Sequence, residues 1–250
     1  MKKVAFFALS LIATAAMAVQ PTTSGSIVIG ASATSNQLAS INGTLVANKS
    51  NASNTALQNI ASNAGSITIQ GNSTQTAITT GGSVSNEAHA SGDFANQNIS
   101  SNAGDVTVLQ GKTSTQLTNL NQTNVSNNAT GSNATALQNL ASNNGPIVIA
   151  GYSSQTVGSN YSSVSNASSG SGALAVQNLS SNFGDVFVAG TSIQATYLTG
   201  ATVTNSAAGM NSHAVQNIAS NDACDEPRDP CPNGQCGAGG GGWGGGSGHH

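Results

Sequence analysis

The sequence predicts an all-β protein, a repetitive β-solenoid with about 39 residues per repeat whose short strands stack in an amyloid-like manner. Three observations predict this fold class: a six-residue word recurs five times, apolar and polar residues alternate around it, and only 5% of the 250 residues are charged. Globular domains carry about 25% charged residues, and disorder is typically accompanied by high net charge. Low charge, few prolines and abundant Asn and Gln instead favour cross-β stacking.

The strongest pattern is the word Gln-Asn-[Ile/Leu]-[Ala/Ser]-Ser-Asn, whose copies start 39, 41, 39 and 39 residues apart. Its first two positions are Gln58 and Asn59, Gln97 and Asn98, Gln138 and Asn139, Gln177 and Asn178, and Gln216 and Asn217. Equivalent positions of a solenoid lie about 4.7–4.8 Å apart, so each side-chain amide can bond the copies above and below it. We therefore predict that these residues form structural ladders.

A second word, Gly-x-[Ile/Val]-x-[Ile/Val], follows the first four copies and places aliphatic residues in phase. The pairs are Ile67 and Ile69, Val106 and Val108, Ile147 and Ile149, and Val186 and Val188. Period-2 alternation is typical of strands because successive side chains point to opposite faces. We expect these aliphatic residues to point inwards as further ladders. The residues expected to point outwards between them are Val28, Thr68, Thr107, Val148 and Phe187.

Turn-forming pairs such as Asn-Gly and Gly-Gly divide each repeat into about four short strands. In the second unit these strands are expected at roughly 55–61, 66–70, 74–79 and 83–88. No sustained 3.6-residue apolar stripe occurs, so no helix is predicted in the repeats. Two other recurrent positions are a valine before a polar pair and a second glutamine. They are Val46, Val84, Val125, Val164 and Val203, and Gln75, Gln116, Gln155 and Gln194.

The two glutamines of each repeat leave two packings open: one wide rung per repeat, or two narrower rungs that each carry one glutamine. Two stacked halves would share their ladders and should therefore be alike. The half that contains Gln58 and the half that contains Gln75 differ, whereas whole repeats match closely. This difference favours one wide rung per repeat.

The repeats resemble those of known secreted proteins. The run Ser171-Gly-Ala-Leu-Ala-Val-Gln177 resembles the repeat core of curlin subunits, and the runs at 133–138 and 211–216 are similar to it. The Asn/Ala/Gly-rich repeats followed by cysteines are also similar to Fap-type proteins. The resemblance covers about residues 25–221, although the superperiod departs from curlins and the cysteine spacing from Fap proteins. Both families imply a secreted bacterial functional-amyloid fibre subunit of the biofilm matrix.

The N-terminus has the composition of an export signal. Lys2 and Lys3 precede an apolar run, and Ala16-Met17-Ala18 is typical of a cleavage site. We therefore expect a signal peptide at residues 1–18, a five-repeat solenoid at 19–221, and a secreted protein that is extracellular or on the bacterial cell surface. The apolar run is too short to cross a bilayer, so no membrane insertion is predicted.

Two tails of different composition follow the repeats. Residues 222–236 form an acidic tail that contains Cys224, Cys231 and Cys236, and residues 237–250 form a glycine-rich tail that we expect to be disordered. After export the cysteines could form a disulfide or cross-link subunits. A metal site or no defined role also stays open, although the tail lacks the paired four-ligand spacing of a zinc site.

Composition and motifs argue against several function classes. The repeats contain no nucleophile elbow, phosphate loop or carboxylate pair, so neither an enzyme nor a cofactor is predicted. From Val19 onwards three basic residues stand against eight acidic ones, a net charge of about -5 that disfavours nucleic acid as a partner. The few charged residues, such as Glu87 and Asp93, lie beside Gly or in turns, where we expect water to reach them.

These features predict a self-assembling structural subunit of an extracellular fibre, in the biofilm matrix or at the cell surface. Its main partner is expected to be a second copy of the chain, because an open sheet edge is a template for another strand. A nucleator and an outer-membrane export channel are further expected partners. The alternative hypothesis is a monomeric β-solenoid adhesin or surface-binding protein, which would need a capped end and a uniform outer row of residues.

Overall fold

A computed structural model of the chain describes residues 26–29, 34–51, 55–90, 92–104, 106–108, 113–145, 147–184 and 186–222. All regular elements within these residues are β-strands, and each repeat contributes five strands, which we call a rung. The predicted signal peptide, the three cysteines and the glycine-rich tail lie outside the described residues.

The strands are numbered β1 to β25 in chain order. The first rung consists of β1 Ser26–Ile29, β2 Thr34–Asn42, β3 Leu45–Ser50, β4 Thr55–Ile60 and β5 Asn63–Ala64. The second consists of β6 Ser66–Ile69, β7 Asn72–Thr80, β8 Ser83–His89, β9 Phe94–Ile99 and β10 Asn102–Ala103. The third consists of β11 Val106–Val108, β12 Thr113–Asn121, β13 Asn124–Thr130, β14 Thr135–Leu140 and β15 Asn143–Asn144. The fourth consists of β16 Ile147–Ile149, β17 Tyr152–Asn160, β18 Ser163–Ser169, β19 Leu174–Leu179 and β20 Asn182–Phe183. The fifth consists of β21 Val186–Val188, β22 Ser192–Thr199, β23 Thr202–Ala208, β24 His213–Ile218 and β25 Asn221–Asp222.

Equivalent strands of successive rungs pair in parallel and form five five-stranded sheets. These are sheet I (β1-β6-β11-β16-β21), sheet II (β2-β7-β12-β17-β22), sheet III (β3-β8-β13-β18-β23), sheet IV (β4-β9-β14-β19-β24) and sheet V (β5-β10-β15-β20-β25). Copies of the word stack in register, so that Gln97 pairs with Gln58 on one side and Gln138 on the other. The predicted all-β solenoid with about 39 residues per repeat is confirmed, and one repeat forms one wide rung.

Each rung has five strands where the sequence predicted four, because two sharp corners isolate a two-residue strand in sheet V. The first corner is the fourth residue of the word, which has φ of 48° in Ala61 and 52° in Ser100. The second corner is a glycine column. A Cβ on Gly104 would lie 2.2 Å from the carbonyl oxygen of Gly65 in the rung below, which no side chain could accommodate. The left-handed backbone conformation favours glycine, because other residues adopt it at a cost in free energy of about 1–2 kcal/mol.

The main apolar cluster of the interior is formed by side chains from sheets II, III and IV. It runs through the rungs and includes Val84, Ile99, Leu120, Val125 and Leu140. A second cluster between sheets III and IV consists only of alanines: Ala56, Ala88, Ala95, Ala129, Ala134 and Ala136. These small side chains let strands of the two sheets approach to Cα separations within 8 Å. The narrow gap between sheets III and IV therefore follows from the alanines that the repeats share.

Sheet I has the alternation expected from the second word. Ile67, Ile69 and Val106 are buried, with at most 1% of each side chain exposed, and they stack in register with their neighbours. Between them, Val148 is 41% and Phe187 59% exposed. Val108, Ile147, Ile149, Val186 and Val188 occupy the equivalent register positions of the later rungs.

Replacement of Ile67 and Ile69 together by Asp should prevent the solenoid from forming. Each change removes about 1.5–3 kcal/mol of apolar burial and places a carboxylate where it has no counter-charge. Far-UV circular dichroism of the purified double variant should lack the β-sheet spectrum of the parent. Thr68→Asp is the matched control, because Thr68 lies between them and is half-exposed. If the control and the double variant lost the β-sheet signal to the same extent, the inward orientation of the two isoleucines would be contradicted.

Candidate functional site

The first residue of the word forms a buried column of glutamines in sheet IV. The side-chain nitrogen of Gln97 donates to the side-chain oxygen of Gln58 at 2.8 Å, and Gln138 donates to Gln97 at 2.8 Å. Gln177 and Gln216 continue the column at 2.7 and 2.6 Å. In the first four glutamines the same nitrogen also donates to a backbone carbonyl on the facing sheet III, as Gln97 does to Ser126. These four glutamines therefore tie one rung to the next and sheet IV to sheet III.

A column of asparagines in sheet III makes the reciprocal connection. It consists of Asn48, Asn86, Asn127, Asn166 and Asn205, and each donates to the side-chain oxygen of the next at 2.7–2.8 Å. The side-chain nitrogen of Asn127 also donates to the backbone carbonyls of Ala95 and Leu137 on sheet IV, at 3.1 and 2.9 Å. Glutamine side chains of sheet IV thus donate hydrogen bonds to backbone carbonyls of sheet III, and asparagine side chains of sheet III donate to backbone carbonyls of sheet IV.

Sequence reasoning missed this asparagine column. Its signal was the asparagine two residues after each recurrent valine, for example Asn86 after Val84 and Asn127 after Val125. The periodic valine is evident in the sequence, whereas the asparagine is the second residue of a pair whose first residue varies.

The remaining polar positions of the word also stack. Asn59, Asn98, Asn139, Asn178 and Asn217 form a second column in sheet IV, on the face opposite the glutamines, with bonds of 2.8–2.9 Å. The last asparagine of the word forms another column in sheet V: Asn63, Asn102, Asn143, Asn182 and Asn221. Between them, the hydroxyl of Ser101 donates to the carbonyl of Asn139 and accepts from the amide of Ser142. The glutamine, the two asparagines and the fifth-position serine of the word therefore bond a neighbouring rung, whereas the buried hydroxyl of Ser100, at the fourth position, has no partner.

The second recurrent glutamine stacks in sheet II by a different arrangement. Gln116 donates to Gln75 at 3.2 Å, and its nitrogen also donates to the hydroxyl of Ser114 at 2.7 Å. Gln155 and Gln194 repeat both bonds with their own serines. This glutamine is satisfied within its own strand rather than across the interior. The difference explains why the two halves of a repeat do not resemble each other.

Within the described residues, the two end rungs leave the interior open, because β1–β5 and β21–β25 are each paired on one side only. Leu198 and Ile218 occupy inward positions of the fifth rung and are 43% and 40% exposed, whereas Leu120 and Leu179 in the same columns are fully buried. Ile41, Val46 and Ile60 of the first rung are half-exposed in the same way. Gln216 is exposed at the end of a column whose inner members are buried.

Few charged groups occur in the described residues, and three of them meet on the outer face of sheet III. The carboxylate of Glu87 lies 3.2 Å from the Lys49 ammonium and 3.1 Å from Nε2 of His89. Hydrogen bonds from His89 and then Lys49 lower the pKa of Glu87. All three side chains are about a third exposed or more, so the cluster contributes little to stability.

Asp93 contradicts the expectation that every charged residue is reached by water. Its side chain is fully buried in the turn before β9, where one carboxylate oxygen accepts from the amide of Ala90 and the other has no partner. Burial raises the pKa of Asp93, and the bond from Ala90 offsets only part of this effect. The two next rungs carry Ala134 and Ala173 at this position. Neighbouring glycine did not predict exposure, because the stacked rungs enclose the turn.

No family model, curated protein or solved structure matches this chain.

Among the described residues, no group of three or more His, Cys, Asp and Glu side chains could hold a metal ion. The same part of the chain has no helix with the length and apolarity needed to cross a bilayer. His89 lies in sheet III and His213 in sheet IV, so the structure does not bring the two histidines together as a pair.

Replacement of Asn127 by Ala should destabilise the solenoid by about 3 kcal/mol or more. The change leaves buried carbonyls and amide oxygens without their donor, and each such group costs about 1–3 kcal/mol. Asn128→Ala is the matched control: Asn128 is its half-exposed neighbour, and the next rung has Ala167 there. Urea unfolding of freshly purified monomers measures both variants. Equal midpoints for the two would rule out the proposed importance of the asparagine column.

Replacement of Asp93 by Asn should stabilise the protein at pH 7. The raised pKa means that the folded state holds the Asp93 proton more tightly than the unfolded state does. The wild type therefore loses stability as pH rises from the unfolded value, about 3.9, through the raised folded value. Asn keeps the acceptor for Ala90 without the buried charge, so the difference in Tm should be largest at pH 7 and vanish below pH 4. A lower Tm for the variant at pH 7 would contradict this assignment.

Proposed function

We propose that the protein is a self-assembling structural subunit of an extracellular fibre. The observation that carries this proposal is that both end rungs of the described solenoid are open and chemically alike. Gln216 and Gln58, Asn205 and Asn48, and Ile218 and Ile60 occupy the two ends of their columns. The fifth rung of one copy therefore offers the first rung of another the same partners that rungs offer each other within the chain.

The directions of the hydrogen bonds favour head-to-tail stacking. In the Gln58 column every side-chain nitrogen donates to the preceding rung, whereas in the Asn48 column every nitrogen donates to the following rung. A second copy placed with its first rung on the fifth rung of the other continues both directions. Gln58 of that copy then donates to Gln216, and the exposed Leu198 and Ile218 become buried. Two copies placed head to head would instead oppose like groups.

The alternative is a monomeric adhesin, and it is less well supported. A monomeric solenoid needs terminal rungs with a polar outer face to remain soluble. In this protein the described end rungs present aliphatic residues and unpaired strand edges. Most interior polar groups are amides and hydroxyls that bond one another, which favours a structural role over catalysis. The predicted export signal favours secretion to the cell surface or biofilm matrix, with a nucleator and an outer-membrane channel as partners.

The chain that starts at Val19 should assemble into unbranched filaments. Fibre diffraction should give a meridional reflection at about 4.7–4.8 Å, the spacing of paired strands. Helical reconstruction should give a rise of about 24 Å per subunit, which is five strand spacings. A monomer that stays soluble for weeks at high concentration would refute the proposal.

A change at one open end tests the junction itself. Ile218→Lys should leave the monomer folded, because Ile218 is 40% exposed there, but should bury a charge against Ile60 of the next copy. The variant should therefore stay monomeric and, mixed with wild type, slow filament growth measured by thioflavin fluorescence. Thr204→Lys is the matched control, since Thr204 lies in the same rung but points outwards. Filament growth by both variants at the wild-type rate would exclude head-to-tail stacking.

A further inference from the structure

The outer face of sheet II is long and uncharged. Its strands are eight or nine residues long, the longest of each rung, and none of the five contains Asp, Glu, Lys or Arg. The outward positions carry mainly Thr, Ser, Asn and a few apolar residues. A ligand for this face must therefore be recognised by hydrogen bonds and apolar contact, without ion pairs.

All three tyrosines of the chain lie on this face or at its edge. Tyr152 and Tyr197 point outwards from β17 and β22, and Tyr161 follows the end of β17. They are 41%, 66% and 65% exposed, so the interior does not need them. A Cβ on Gly200 would lie 2.6 Å from the ring of Tyr161, which shows that this ring lies against the glycine of the next rung. Exposed tyrosines present both an apolar ring and a hydrogen-bonding hydroxyl.

A groove runs along one column of this face. The column consists of Ile78, Asn119, Gly158 and Tyr197 in successive rungs. Because Gly158 has no side chain, a gap separates Asn119 from Tyr197, and a Cβ on Gly158 would meet only the Asn119 amide, at 3.5 Å. Next to this gap lies a depression of about 300 Å³, which is lined by Ile78, Thr79, Thr80, Asn119, Asn121 and Asn160. This volume is at the lower limit of ligand sites, which span about 300–1,000 Å³. Gly158 and Tyr197 do not line the depression itself but continue the column beyond Asn119.

The rim of the groove is polar and can both donate and accept. The side-chain nitrogen of Asn160 donates to the side-chain oxygen of Asn121 at 3.0 Å, on the exposed surface. This bond aligns the two amides and leaves the nitrogen of Asn121 and the oxygen of Asn160 for a ligand. Each amide has two donors and one acceptor oxygen, the combination that neighbouring hydroxyl groups require.

We propose that this groove binds a neutral polysaccharide chain. A pyranose ring has an apolar C–H face that packs on an aromatic ring, here Tyr197, and hydroxyls that bond amides, here those of Asn119, Asn121 and Asn160. The groove lies on the outside of the solenoid and follows its axis, so it accepts an extended polymer. It does not require assembly, because every residue that carries it belongs to one copy. In a filament each subunit would present one such groove.

The test measures binding of three neutral hexasaccharides, cellohexaose, chitohexaose and maltohexaose, to freshly prepared monomer by isothermal titration calorimetry. At least one should bind, and Tyr197→Ala and Asn119→Ala should each weaken that binding tenfold or more. Gly158→Thr should abolish it by filling the gap, and Thr is already accepted two residues earlier at Thr156. Phe187→Ala is the matched control, because Phe187 is an aromatic residue of similar exposure on sheet I and its removal should change nothing.

Three outcomes would overturn the proposal. The first is that none of the three hexasaccharides binds. The second is that Phe187→Ala weakens binding as much as Tyr197→Ala, which would indicate nonspecific contact with exposed rings. The third is that a polyanion such as polygalacturonate binds as tightly as the neutral sugars and Gly158→Thr has no effect on it. Circular dichroism of each variant verifies that the solenoid is retained, since all substituted positions point outwards.

Discussion

The reciprocal bonding of sheets III and IV is the interaction on which the rest of the structure depends. Glutamines of sheet IV donate to carbonyls of sheet III, and asparagines of sheet III donate to carbonyls of sheet IV. Both connections require the two backbones to lie close together, which only alanine-sized residues between them permit. Buried amides that are fully paired strengthen one another, whereas an unpaired one is costly. The repeats therefore keep these residue types together, since the loss of one would leave the others without partners.

The sequence predicted the architecture because stacking requires the same residue types at the same positions of every rung. The recurrence of Gln97 and Asn98 is visible only when five repeats are compared, and this recurrence made the fold class and the single wide rung predictable. The asparagine column was missed because the residues on either side of each asparagine vary, so that only the valine two residues earlier, such as Val84 or Val125, stood out as periodic. Asp93 was misjudged for a related reason: it has no counterpart in other rungs, and enclosure by stacked turns is a property of the assembled coil. The groove was equally invisible, because Asn119, Gly158 and Tyr197 become neighbours only through the register of sheet II.

The inner and outer surfaces of the solenoid have separate chemical roles. Inward positions of sheets III and IV repeat the same amides and aliphatic residues, and this uniformity makes the two ends compatible with each other. Outward positions are less constrained: one column of sheet II contains Ile78, Asn119, Gly158 and Tyr197 in succession. A filament of such subunits would have the same interior columns in sheets III and IV throughout, and a surface whose chemistry is set by the individual rungs. The proposed sugar groove belongs to this second class of positions.

The rungs are not all equally long, and the differences are confined to the connections between strands. The link from sheet I to sheet II has four residues at 30–33 and 109–112 but two at 70–71 and 150–151, while the strands that it joins stay in register. Evolution can therefore lengthen or shorten these connections freely, and can duplicate or delete a whole repeat, without disturbing a single column. Loss of one residue inside a strand would instead turn every later side chain of that strand to the opposite face. Such a gene is expected to diversify by gain and loss of entire repeats, so that relatives differ in the number of rungs and keep the composition of each column.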